Sequence, residues 1–249
     1  LFSKKSQSST ILRKNLTVFF SDIVKFTDLS DSLEPEQLAS IINSYLSEMA
    51  SIAINYGGTV DKFIGDAVLI FFGDPETKGA DKDATQCLDM AIAMKNKISE
   101  MQNFFIKSGA GDGLSVRMGI TTGYCTVGNF GSEQRMDYTV LGSPVNFAAR
   151  LQALTPPNEI LISEQTYNLV NDYFVCEKFQ DFQPKGFSRT LPVFKLKDSK
   201  GGRGTQKESS KIINNGKYIS VNVPNKNQIK DAIDELRDIQ VILEKDIKK

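Results

Sequence analysis

Two aspartates stand at the ends of apolar runs. Asp22 follows Leu16-Thr17-Val18-Phe19-Phe20-Ser21, and Asp66 follows Gly65 between Thr59–Ile64 and Ala67–Phe72. Val-, Ile- and Phe-rich runs flanking Gly-Asp have the pattern of a tight β-hairpin, with Gly supplying backbone freedom and Asp the turn chemistry. Alone, Gly65-Asp66 is well explained as a turn. The second carboxylate changes the reading, because two carboxylates on adjacent strand ends are what a hard divalent cation needs. Lys62 lies on the same hairpin, two positions before Ile64 and on the same side of a period-two strand. Asn146 and Arg150 are four apart in a helical stretch and so share a face. Without context that pair reads more readily as solvated surface.

Composition narrows the chemistry further. The chain has no histidine, which removes Ser-His-Asp and Cys-His catalysis and any His-ligated zinc site. Cys87, Cys125 and Cys176 are dispersed with no CxxC, as expected of core thiols in a reducing compartment. Metal chemistry here is therefore carboxylate chemistry with Mg²⁺ or Mn²⁺. Lys and Arg total 30 and Asp and Glu total 30, so no net field points to nucleic acid or an anionic membrane. No apolar run reaches the roughly twenty residues of a membrane span, and no signal peptide is present. The expected location is cytoplasmic. The first residue is Leu1 rather than Met, which leads us to expect an N-terminal regulatory or sensor region, with room for a membrane anchor upstream.

The elements that must hold these residues follow from periodicity. Residues 1–14 are polar and basic, a connector. A strand is predicted over 16–23, then a loop or helix start at Phe26 and Thr27 whose free N–H groups suit an anion. A helix follows from Pro35, its inner stripe Leu38, Ile41, Ile42, Tyr45, Leu46, Met49 and Ile52, stopped by Gly57-Gly58. After the hairpin come one long helix over 79–107, strands over 114–121 and 125–130 around Gly123, and a strand over 136–141. Gly142-Ser143-Pro144 opens a helix through Ala153, and an αβ region runs on to residue 198. Residues 199–249 form a linker and tail, with a strand over 218–223 and a helix over 228–247. The order βαββαβ plus an αβ region implies an α+β fold.

Three segments carry a resemblance. FSDIVKFT (20–27), VDKFIGD (60–66) and YTVLGSPVNFAAR (138–150) resemble the signature segments of class III nucleotide cyclases, over about residues 15–197. The resemblance implies a ferredoxin-like βαββαβ cyclase homology domain over 15–198. It implies that Asp22 and Asp66, with the carbonyl of Ile23, hold two divalent ions, and that amides near Phe26 and Thr27 hold the triphosphate of ATP. Asn146 is then the ribose-orienting residue and Arg150 the transition-state cation; Lys185 is similar to the family's C-terminal phosphate-binding lysine, with Arg135 a further phosphate candidate. Lys62, a donor that cannot accept, suits N1 of adenine and opposes the protonated N1 of guanine. Thr139 stands where many members carry Asp, and its hydroxyl can still accept from the adenine 6-amino group. The whole resembles an adenylyl cyclase of the Lys/Thr subclass, acting as a head-to-tail homodimer with shared sites. The rival readings are a guanylyl cyclase and a catalytically silent cyclase-like module that senses nucleotide or dimerises.

Overall fold

The structure is a computed structural model that describes residues 11–132, 134–183, 189–200, 212–215, 220–223, 233, 236 and 237. The chain forms two units, Leu1–Gly201 and Gly202–Lys249.

The first unit is organised on β1 (Leu12–Ile23), which begins four residues before the predicted strand. β1 alternates between two faces: Phe19 and Ile23 join one apolar cluster, and Leu16 and Val18 another. It is flanked by β3 (Ala67–Phe72) and β4 (Val116–Gly131), both antiparallel to it. With β2 (Thr59–Ile64), β5 (Met136–Leu141), β6 (Glu159–Ser163), β7 (Phe174–Phe182) and β8 (Leu191–Ser199) they make one sheet of order β2-β3-β1-β4-β6-β8-β7, with β5 paired to β4. Every residue of β3 is buried, as a strand covered on both faces requires.

One face of the sheet is covered by α2 (Pro35–Asn55), α3 (Ala80–Glu100) and α6 (Glu164–Val170), the other by α5 (Ser143–Leu154) and the folded-back β5. The inner stripe of α3 is buried in full: Ala84, Cys87, Leu88, Ala91, Met94 and Ile98. All three cysteines are free thiols, and Cys87 and Cys125 are buried. α1 (Phe26–Ser32) is a short helix after β1.

Two further predicted boundaries differ. The helix over 79–107 is broken at Met101 into α3 and α4 (Gln102–Lys107). The break is held by Gln102, whose amide donates to the carbonyls of Ile98 (3.0 Å) and Leu114 (2.8 Å) and accepts from the Leu114 N–H (3.0 Å). The strands predicted on either side of Gly123 are one continuous strand, β4. Gly123 is there for close approach instead: a Cβ on it would lie 2.9 Å from Pro144 Cγ in the first turn of α5. At Gly119 an added Cβ would meet the Gln152 nitrogen at 2.3 Å and the Ala148 carbonyl oxygen at 2.4 Å. These two glycines let α5 lie directly on β4.

In the second unit β9 (Ile212–Asn215) pairs antiparallel with β10 (Ser220–Val223), which covers part of the strand predicted over 218–223. Of the helix predicted over 228–247, only Ile233, Leu236 and Arg237 are among the described residues, and these are helical.

The α5 seat is testable. Gly119→Ala should cost about 1–3 kcal/mol in denaturant melts, because the atoms it meets are backbone and the helix must shift. Catalytic turnover should fall with it; an unchanged melt would show that α5 is not seated on Gly119.

Candidate active site

Adjacent strands bring the two aspartates together. Asp22 is the penultimate residue of β1, Asp66 sits in the turn between β2 and β3, and β1 pairs with β3 up to Ser21↔Val68. Asp66 Oδ2 accepts the Ile23 N–H at 2.9 Å. Partial burial first, and then a hydrogen bond with Asp22, push the Asp66 carboxyl up to about 7; the Ile23 N–H pulls the other way and the charge of Asp22 adds to the rise. Behind the pair lies the buried Tyr45, whose phenol is 3.5 Å from Ser21 Oγ and is kept neutral chiefly by burial. Two carboxylates that repel unless one is protonated are a donor set suited to a small hard cation, which would replace the proton and satisfy both. Among the described residues no third His, Cys, Asp or Glu joins them. The remaining ligands of such an ion would therefore be backbone, water or the oxygens of a bound substrate.

Two residues at this pair were not singled out from sequence. Arg117 Nη2 donates to Asp22 Oδ2 at 3.2 Å, and Gln152 Nε2 donates to the same oxygen at 3.3 Å. Arg117 stands directly across from Asp22 in the β1–β4 register, and Gln152 reaches it from the buried side of α5. Only strand pairing and helix docking reveal them.

A second cluster gathers Lys62 of β2 and Thr139 of β5 around one carboxylate, Asp61, also unselected from sequence. Thr139 Oγ1 donates to Asp61 Oδ2 at 2.6 Å, the Val140 N–H donates to it at 3.4 Å, and Lys62 Nζ lies 3.3 Å from Oδ1. The β2–β3 register slips between Val60 and Lys62, making Asp61 the bulged residue. Its side chain is 1% exposed, and that of Lys62 is 38% exposed.

The remaining candidates divide. Phe26 and Thr27 open α1 after Lys25, which has a left-handed backbone (φ 56°), so their N–H groups belong to the unbonded first turn. Asn146 is exposed and Arg150 half-buried on α5, while Pro144, Phe147, Ala148, Leu151 and Gln152 of that helix are buried. At about 100° per residue, Asn146 and Arg150 lie roughly 120° and 160° around the helix from Gln152, which α5 brings to Asp22. Arg135 sits at the β4–β5 tip, 85% exposed and 3.8 Å from Asp137, at the far end of β4 from Arg117. Lys185 lies outside the described residues.

Comparison with known proteins decides the family. A profile of the adenylate and guanylate cyclase catalytic domain matches residues 10–197. The chain belongs to that family. The crystal structure of the adenylyl cyclase CyaB from P. aeruginosa matches with 49% identity and a TM-score of 0.75, covering 77% of this chain and 98% of that one. The guanylyl cyclase Cya2 matches at 30% identity and a TM-score of 0.72, covering 77% and 96%. An adenylate cyclase of Anabaena cylindrica is 30% identical over 195 residues, 74% of this chain. A terminal-differentiation-specific adenylate cyclase of Dictyostelium discoideum is 30% identical over 190 residues, also 74% of this chain. The chain spans 37% of the Anabaena protein's length and 9% of the Dictyostelium protein's. The α+β fold expected of a cyclase catalytic domain is the one observed. No helix among the described residues is long and apolar enough to cross a membrane.

The raised Asp66 carboxyl gives a signed pH prediction. Its proton is kept to about pH 7 in the folded chain, whereas in the unfolded chain it leaves near pH ~4. Without divalent ions, its contribution to stability is thus fully present below pH ~4 and lost as pH rises to about 7. Denaturant melts in chelator should show wild type losing stability relative to Asp66→Asn across that window. Added Mg²⁺ or Mn²⁺ should stabilise wild type increasingly over the same rise, and a flat difference would contradict the pairing.

Proposed function

We propose that this cyclase domain converts ATP to 3′,5′-cyclic AMP and pyrophosphate. The 3′-hydroxyl oxygen bonds to the α-phosphorus, the bond from that phosphorus to the bridging oxygen breaks, pyrophosphate leaves, and the hydroxyl proton is lost. The observation that carries the base assignment is the meeting of Lys62 and Thr139 on Asp61. Lys62 donates to N1 of adenine, and Thr139 accepts from the 6-amino group. In guanine, N1 carries a proton, so the Lys62 contact mispairs. A mispaired polar group in such a pocket can cost on the order of 10⁴-fold in selectivity. Guanylyl cyclases share this fold, but Lys62 argues against GTP.

Asp22 and Asp66, with the Ile23 carbonyl, would hold two divalent ions, Mg²⁺ or Mn²⁺; when bound, these supply acidification of the 3′-hydroxyl and charge neutralisation of the phosphates. The first-turn amides at Phe26 and Thr27 receive phosphate oxygens. Asn146 orients the ribose and Arg150 offers its fork of donors to the developing charge. Lys185, and Arg135 from the strand tip, are the remaining phosphate candidates.

The orientation of α5 supports sites shared between two copies. Asn146 and Arg150 face away from the aspartates of their own chain, so a second copy in head-to-tail arrangement is needed to complete each site. Tyr124, Met136, Tyr138 and Leu141 on β4 and β5 are exposed apolar surface consistent with such an interface. We place this chemistry in the cytoplasm, under an N-terminal regulatory region in a longer protein.

Arg150→Ala should lower kcat roughly 10²–10³-fold, as loss of one donor to transition-state charge does, and Asp66→Ala should abolish turnover. Mixed in equal amounts and allowed to exchange, the two inactive chains should regain about a quarter of wild-type activity, since half the dimers are mixed and each holds one intact site of two. Heterodimers shown to form without any recovery would rule out shared sites. A catalytically silent module would show nucleotide-dependent dimerisation and no product with either ion.

A further inference from the structure

We infer that Asp61 is a positioning residue for base selection: it fixes the Thr139 hydroxyl as an acceptor and so makes the pocket read the 6-amino group of the purine. The inference rests on the assignment of Lys62 and Thr139 to the base. A threonine hydroxyl is by nature ambivalent, one donor with two lone pairs, and taken alone it would serve the 6-amino group of adenine or the O6 of guanine. A carboxylate accepts only, so the 2.6 Å contact to Asp61 Oδ2 commits the Thr139 proton to Asp61. What Thr139 then has left for a ligand is lone pairs. That orientation welcomes an amino group and repels a carbonyl oxygen.

The local structure holds the arrangement in place. The bulge breaks the period-two alternation of β2, so the consecutive Asp61 and Lys62 reach the same neighbourhood instead of opposite faces. The Val140 N–H at 3.4 Å ties the carboxylate to the backbone that carries Thr139. Lys62 Nζ, 3.3 Å from Oδ1, balances the buried charge without hydrogen-bond alignment; Oδ1 has no hydrogen bond among the described residues. Asp61 sets the polarity of the hydroxyl and anchors the lysine with one side chain.

The test compares ATP with purine riboside triphosphate, which keeps N1 and lacks the 6-amino group. The ratio of their kcat/KM values, measured on one preparation, is independent of folded fraction, and effects passing through Lys62 and N1 cancel in it. Wild type should prefer ATP by about 10-fold or more. Asp61→Ala should bring the ratio near one, chiefly through a higher KM for ATP, and should raise relative turnover of GTP. Asp61→Asn, isosteric and still offering an acceptor oxygen, should restore most of the preference. If the alanine variant does not fold, Asp61→Ser, which admits water in place of the carboxylate, serves the same comparison. Thr139→Val should lose the preference alone and add nothing in the Asp61→Ala background. Wild-type discrimination retained in both Asp61→Ala and Asp61→Ser would overturn the positioning role while leaving the ATP assignment intact. A wild type indifferent to the 6-amino group would overturn the inference earlier, by removing the base assignment beneath it.

Discussion

Two like charges held against each other are the constraint from which the site is built. The carboxyl groups of Asp22 and Asp66 repel when both are ionised, so something rigid has to keep them close. The sheet provides it: β1 and β3 are paired side by side, and the Ile23 N–H grips Asp66 from the backbone. Apolar side chains on both faces of β1 make that pairing hard to distort. Arg117 and Gln152 then orient Asp22 from β4 and α5. A bound cation would relieve that repulsion, which is why the pair suits the divalent-ion role proposed for it.

The second cluster has the opposite logic. A buried carboxylate, Asp61, lies between a cation and a hydroxyl, Lys62 and Thr139, the two groups proposed to read the base. Burial without partners would be costly, and here the Lys62 ammonium, the Thr139 hydroxyl and the Val140 N–H supply them. The bulge that permits this sits on the same hairpin whose turn carries Asp66. The single hairpin Thr59–Phe72 therefore carries residues proposed for both metal and base, and α5, seated on two glycines of β4, carries Asn146 and Arg150 off its buried face.

Most of the fold was legible beforehand. The β1 and β3 runs, the helix stripes and the Gly65-Asp66 turn are local patterns with the periods of strand and helix, and the elements formed where those periods lay. Glycine was the misleading signal. Gly123 was read as a break between strands, yet its role is to admit Pro144, a neighbour distant in sequence. The break at Met101 came from Gln102 binding Leu114 across the following loop. In both cases a long-range contact overrode a local reading.

The residue types alone determined which chemistry is available: carboxylates for a hard cation, a donor-only lysine, an arginine for phosphoryl charge, and no histidine for anything else. Their spacing determined the hairpin and the helix that carry them. Tertiary structure decided which groups meet. Arg117, Gln152 and Asp61 are unremarkable in the linear chain, because nothing in a sequence states the register of two strands or the side of a helix that docks. It also decided the direction of a proton, since an isolated threonine has no preference and only a buried carboxylate within 2.6 Å gives it one.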